Sequence, residues 1–181
     1  PVFTIATVTF DAGRAEGGTG LPLETLRETA AVAEGSPFDP AAPEAARDRL
    51  VALYRREAFA TPTVTVMQAV RTGEPRVDIA FTVTEGPRQV LGEVVVAGNR
   101  GTDADVVVRA LGLAVGEPLR AAESLRARSR VFDTGLFRRV DLSSEPMEPT
   151  QSGAPLTRMR LRVTVEEWPA LRLRYGVQVA E

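Results

Sequence analysis

The sequence predicts an α+β fold built of two tandem β-α-α-β-β modules, each a three-stranded sheet covered by two helices. Three observations predict it. The phrases "FTVTEGP" (81–87) and "VTVEEWP" (163–169) nearly repeat each other about 80 residues apart, the spacing of an internal repeat. Each phrase closes a run of alternating apolar and polar residues, the pattern of a half-buried strand. Upstream of each run the elements come in the same order, with "GSP" (35–37) and "GEP" (116–118) between the two helices of their copies. The first module is expected over residues 1–87 and the second over 88–169, with a short strand in 170–181.

In the first copy, "VFTIATVTF" (2–10) reads as a strand, with Phe3, Ile5, Val8 and Phe10 as its apolar residues. "DAGRAEGGTG" (11–20) breaks that pattern with four glycines. "LPLETLRETAAV" (21–32) reads as a helix opening at Pro22, where proline is tolerated. "PEAARDRLVALYRREAF" (43–59) reads as a second helix with Ala46, Leu50 and Leu53 on one face. "TPTVTVMQAV" (61–70) and "RVDIAFTVTEG" (76–86) read as strands joined by a turn at Thr72 to Pro75. In the second of these, Val77, Ile79, Phe81 and Val83 share a face.

The second copy repeats the order. "QVLGEVVVAG" (89–98) is a strand that turns at Gly98 and Asn99. Thr102 and Asp105 have the spacing of a capping box for the helix "ADVVVRALGL" (104–113). "RAAESLRARSRVFDTGLF" (120–137) is the second helix, with Gly135 as a left-handed terminator. "RRVDLSS" (138–144) and "TRMRLRVTVEE" (157–167) are strands separated by a polar loop. In the last, Met159, Leu161, Val163 and Val165 oppose Arg158, Arg160, Arg162 and Thr164. One covered sheet face leaves two strand edges open in each module. "LYRREAF" (53–59) echoes "VFDTGLF" (131–137), except that Glu57 stands where the second copy has Gly135. The join at Gly86 and Pro87 is too short for much freedom of swing.

Composition narrows the chemistry. Of 181 residues, 44% are hydrophobic and 25% charged, as in folded chains. The net charge of -2 gives no general attraction to nucleic acid or anionic lipid. There is no cysteine and no histidine, and every basic residue is Arg. Disulfides, thiolate chemistry, imidazole proton transfer and Schiff-base lysines are excluded. No apolar run is long enough for a membrane helix. The chain opens on Pro1 and is read as a piece of a longer protein, so the lack of a leader does not set its destination.

No catalytic constellation is visible. "GRAEGGTG" (13–20) lacks the spacing of a phosphate loop and reads as surface loop. Glu166 and Glu167 are strand neighbours that point to opposite faces, so they are read as solvated charges ending the strand. No metal-ligand spacing is found. The Arg158, Arg160, Arg162 row could meet phosphate headgroups or an acidic partner; the plainer reading is a solvated face balanced by nearby Glu. Trp168 reads either as a buried anchor at a junction or as an interfacial aromatic.

"GEVVVAGNRGTDADVVVRALGLAVGEPL" (92–119) followed by "SRVFDTGLFRRVDL" (129–142) resembles the POTRA domains of the outer-membrane protein insertase superfamily, the BamA-like and TamA-like proteins. The resemblance covers nearly the whole chain, with the stronger motifs in the second copy. It implies modules on the periplasmic face of a Gram-negative outer membrane, followed by a β-barrel. In "PALRLRYGVQVAE" (169–181), Leu171, Leu173, Tyr175 and Val177 alternate with polar residues; taken alone this is the pattern of an ordinary amphipathic strand, and after a last module of this kind it reads as the lipid-facing positions of a first barrel strand.

What the resemblance implies is a non-enzymatic protein without cofactor or metal. Its expected partners are unfolded outer-membrane proteins, accessory assembly proteins and, through the barrel, the membrane itself; nucleic acid is not among them. The residues singled out for partner binding are Thr63, Val64, Thr65, Val66 and Met67. They are rich in β-formers, uncharged, and begin beside Pro62, which suits an edge strand. Such an edge can accept a further strand through main-chain hydrogen bonds; alternatively it is shielded and merely structural. A two-partner-secretion exporter and an envelope or division scaffold without a barrel are the alternative functions.

Overall fold

The structure is a computed structural model that describes residues 2–13, 20–148 and 154–169. The first module contains β1 (Thr4–Gly13), α1 (Leu23–Ala30), α2 (Ala42–Arg56), β2 (Thr63–Val70) and β3 (Arg76–Thr84). The second contains β4 (Arg88–Ala97), α3 (Ala104–Leu111), α4 (Ala121–Asp133), β5 (Phe137–Pro146) and β6 (Leu156–Glu167). The sheets run β1-β3-β2 and β4-β6-β5. β1 lies parallel to β3 and β4 parallel to β6, while β2 and β5 are antiparallel to those same central strands. A parallel pair needs a long crossover, and in each module the two helices lie on it.

The centre of each sheet is the last strand of its module, which explains why β3 and β6 alternate most cleanly in the sequence. Val77, Ile79, Phe81 and Val83 are buried, as are Met159, Leu161, Val163 and Val165. Ala46, Leu50 and Leu53 of α2 close the first core from above. Val107, Leu111, Ala127 and Val131 do so in the second. Burial of these apolar faces against the helices is the main driving force for each module. β1 continues through Asp11 to Gly13, beyond the break read from the sequence, because Asp11 and Ala12 still pair with Thr82 and Val83.

The motif between the helices has a structural job that its sequence does not advertise. In the first module the Ile5 N–H donates to the Ser36 carbonyl at 2.9 Å, Gly35 N–H to Ile5 at 2.8 Å, and Phe38 N–H to Phe3 at 2.8 Å. In the second, Leu91 N–H donates to Glu117 at 2.9 Å, Gly116 N–H to Leu91 at 2.7 Å, and Leu119 N–H to Gln89 at 3.0 Å. The two sets coincide bond for bond, as do irregularities in register after Ile5 and after Leu91. "GSP" and "GEP" therefore cover the start of the outer edge of β1 and of β4. Val8 N–H further donates to the Glu34 carboxylate at 2.9 Å. The expectation of two open edges per module is corrected: one edge is partly covered, and β2 and β5 remain.

The capping box is also corrected. The α3 N-cap is Asp103, with no side-chain cap hydrogen bond. The loop before α3 is instead organised by Glu167, whose carboxylate accepts from the N–H groups of Arg100 (3.2 Å), Gly101 (3.0 Å) and Thr102 (2.9 Å). Hydrogen bonds from Thr102 first, then from Gly101 and Arg100, hold this carboxyl below its ordinary pKa. Glu167 is thus a tie across the module rather than a solvated end charge. Its neighbour Glu166 pairs with Arg138.

Candidate functional site

The antiparallel ladder fixes which backbone groups of β2 are available. Arg71 N–H donates to the Arg76 carbonyl at 2.9 Å. The β2–β3 register continues without a shift from Val70↔Val77 to Thr63↔Thr84. N–H direction alternates along a strand, so Thr65, Met67 and Ala69 aim at β3, and Val64, Val66 and Gln68 aim outward. Among the described residues nothing accepts from that outward row. β2 is an outer strand of its sheet. No charged side chain stands anywhere along it.

The five singled-out residues divide by face. Val64 is buried at 5% exposure, and Val66 packs partly against the same core. Thr63, Thr65 and Met67 are exposed, Met67 at 71%. The edge therefore offers main-chain donors and acceptors beside a sheet face of modest polarity.

β5 is the matching outer strand of the second module and is built differently. Met147 N–H donates to the Arg158 carbonyl at 2.9 Å, which by the same alternation turns Val140, Leu142, Ser144 and Pro146 outward. Proline has no N–H, so the row is interrupted at Pro146. Arg138, Arg139, Asp141 and Glu145 line the strand, and its register slips between Phe137 and Arg139. Charge, proline and irregularity are the usual guards against indiscriminate strand pairing. β2 carries none of them.

On the wet face of the second sheet, two arginines of the row, Arg160 and Arg162, are balanced by nearby Glu. Arg160 pairs with Glu93 and, at 3.6 Å, with Glu145; Arg162 reaches Glu145 at 3.6 Å. In the first sheet Asp78 accepts from Arg71 and from the Thr7 hydroxyl, which hold its carboxyl down to about 2. Trp168 is 61% exposed and lines a shallow cleft with Arg100 and Arg138, so burial as a junction anchor is not seen among the described residues. Leu171, Leu173, Tyr175 and Val177 lie outside the described residues. Among the described residues no cluster of carboxylates could hold a metal, and no helix is long and apolar enough to cross a membrane.

The departure of Glu57 from the repeat acquires a meaning at the junction. Glu57 is the C-cap of α2, and its carboxylate accepts from the Arg120 guanidinium at 2.8 Å and lies 3.6 Å from that of Arg88. Arg88 also donates to the Glu57 carbonyl at 3.1 Å and sits over the Phe59 ring, 5.3 Å from its centroid. The Ala60 N–H donates to Pro87 at 3.0 Å, and Gln89 N–H to Ala58 at 2.7 Å. One acid thus gathers an arginine from the join and another from the start of α4. The sequence signalled this only as a mismatch within an otherwise good repeat.

The POTRA family model, described as "Surface antigen variable number repeat", matches residues 9–86. The match falls on the first module, whereas the stronger sequence motifs lie in the second. Among curated proteins none matches. Among solved structures, BamA from Haemophilus ducreyi lacking POTRA domains 1–3 is similar with a TM-score of 0.55 at 15% identity, over 93% of this chain and 30% of that one. POTRA1–3 of Omp85 from Anabaena gives 0.52 at 18% identity, over 93% and 67%. POTRA3–5 of Haemophilus influenzae BamA gives 0.51 at 15% identity, over 91% and 61%, so this chain spans less than two thirds of that fragment. At such identities the likeness is one of fold.

Proposed function

We propose, from the premise that this chain is a tandem of POTRA modules, that it is the periplasmic part of an outer-membrane β-barrel assembly factor and receives client or accessory chains on the β2 edge. The observation that carries this reading is the contrast between the edges. β2 presents an outward N–H row free of charge and proline, whereas β5 is guarded. An extended segment laid beside β2 gains main-chain hydrogen bonds that make little demand on its sequence. That suits a protein that must handle many different unfolded barrel strands. The junction contacts at Glu57 would keep the two modules in a fixed relation while the segment is held. The chemistry is non-covalent throughout, and the outer membrane is reached through a barrel beyond the modules.

The test is an NMR titration of the isotope-labelled chain with a synthetic peptide of alternating apolar and polar residues, copied from a transmembrane β-strand. Amide shifts are expected along residues 63–70. Val66→Pro removes an outward N–H and leaves the β3 ladder intact, so the fold should persist while affinity falls by about tenfold or more. Val64→Pro blocks the same edge but also disturbs a buried position, which makes Val66 the cleaner site. Met67→Pro, whose N–H points inward, should instead loosen the sheet. Peptide binding unchanged by Val66→Pro would remove the β2 edge from consideration. A dedicated exporter would differ in binding one passenger sequence and ignoring unrelated barrel strands.

A further inference from the structure

A cleft of about 480 Å³ opens where the two modules meet, away from the outward row of β2. Arg55 and Ala58, at the end of α2, form one wall. Leu125 and Arg128 of α4 form the other, with Leu119 and Leu142 beneath. Leu119 and Ala58 are buried and give the cleft an apolar floor. Leu125 is 64% exposed on its rim, a large aliphatic side chain left in water.

The charge is one-sided. Arg55 and Arg128 have no carboxylate partner among the described residues. The acid that lines the cleft, Asp141, is already bound by Arg139 at 2.6 Å. Two uncompensated guanidiniums beside an apolar floor are complementary to carboxylates spaced among apolar side chains. Leu142 and Ser144 belong to the outward row of β5, so an extended segment would also find backbone partners there. The charges that discourage indiscriminate pairing on β5 would then select for a complementary one.

We propose that this inter-module cleft docks a short, extended, acidic segment of a partner protein, with a leucine-like side chain seated between Leu125 and Leu142 and carboxylates on Arg55 and Arg128. The site is separate from the β2 edge and stands or falls independently of it.

The experiment uses the isotope-labelled 181-residue chain. At low salt it is titrated with acetyl-Leu-Glu-Leu-Glu-Leu-amide, with the peptide carrying Lys in place of Glu, and with phosphatidylglycerol vesicles. The acidic peptide should shift the amides of Ser124, Leu125, Leu142 and Ser144 and saturate. The Lys peptide should not. Arg55→Gln with Arg128→Gln, both at exposed positions, should keep the parent spectrum and weaken binding about tenfold, as should high salt. Absence of shifts, shifts confined to residues 63–70, or equal response to the Lys peptide would overturn the proposal. So would binding that survives loss of both arginines, or vesicles perturbing these amides while the peptide does not.

Discussion

Glu85 and Glu167 close the same strand in the two modules, yet they hold different things. In the first module Glu85 is buried and accepts a hydrogen bond at 3.1 Å from the hydroxyl of Tyr54, itself wholly enclosed. In the second, Glu167 reaches outward to the loop before α3; Phe132, which the sequence echo sets against Tyr54, is 49% exposed, and counted back from the left-handed stops Ala58 and Gly135 it is Val131 that fills the buried position. The cores differ accordingly. The first stacks Phe10 on Phe81 at 5.1 Å and sets Tyr54 edge-on to Phe59 at 5.2 Å. The second is mostly aliphatic, with Phe137 as its buried ring. One backbone plan thus tolerates an aromatic or an aliphatic filling, provided each buried polar group finds a partner. What stays fixed between the modules is main-chain pairing; what varies is the side-chain tie that locks each one.

The largest way to break the comparison is at Gly98. Its φ is +86°, and a Cβ there would overlap the Val165 carbonyl oxygen. Gly98→Ala should cost more than about 3 kcal/mol, because β4 or β6 must move. Native-state hydrogen exchange should show the second module opening while amides of the first keep their protection.

The next largest effect separates the two acid ties. Tyr54→Phe takes a donor from buried Glu85 and should cost about 1–3 kcal/mol. Phe132→Tyr adds a hydroxyl at a half-exposed site and should stay within about 0.5 kcal/mol of the parent. Denaturant unfolding of both variants reads the difference, and equal losses would mean that Tyr54 matters only as packing.

Glu57→Gln should act on neither core. It weakens the ties to Arg88 and Arg120, partly exposed pairs contributing about 1 kcal/mol. Residual dipolar couplings within each module should be unchanged, while the relative alignment of the two modules becomes more variable. A fixed alignment in the variant would assign the junction's rigidity to the Ala58 and Pro87 backbone bonds.

Why some of this was legible in sequence and some was not follows from where the information lies. The repeat, the α2 face of Ala46, Leu50 and Leu53, and the inward residues of β3 and β6 are written in apolar periodicity. The edge cover by "GSP" and "GEP" is made by carbonyl and N–H groups, which every residue possesses, so the motif could be located but not interpreted. Thr102 and Asp105 had capping-box spacing, but Glu167, 65 residues from Thr102 in sequence, supplies the competing acceptor for that loop. No local pattern can register such a partner. Glu57 was visible only as a breach of the repeat, which is how a residue committed to the neighbouring module should look.

The smallest effect concerns the ends of the helices. α1 and α2 end through left-handed residues at Ala31 (φ 50°) and Ala58 (φ 71°), where α3 and α4 use Gly112 (φ 58°) and Gly135 (φ 73°), so the structural counterpart of Gly135 is Ala58, one residue beyond the Glu57 that the sequence echo set against it. A Cβ disfavours that conformation by about 1 kcal/mol. Ala31 is exposed, so Ala31→Gly relieves strain without leaving a hole and should raise the first module's stability by about 0.5–1 kcal/mol. Ala58 is buried at the junction, and there the lost methyl contact should offset most of the relief. Gly135 has open space around its missing Cβ, so Gly135→Ala isolates the backbone term and should cost about 1 kcal/mol. Opposite signs at Ala31 and Gly135 would mean that both modules use the left-handed stop and only the second uses the residue suited to it. A loss at Ala31 would mean that its methyl, and not the turn, is what the first module keeps.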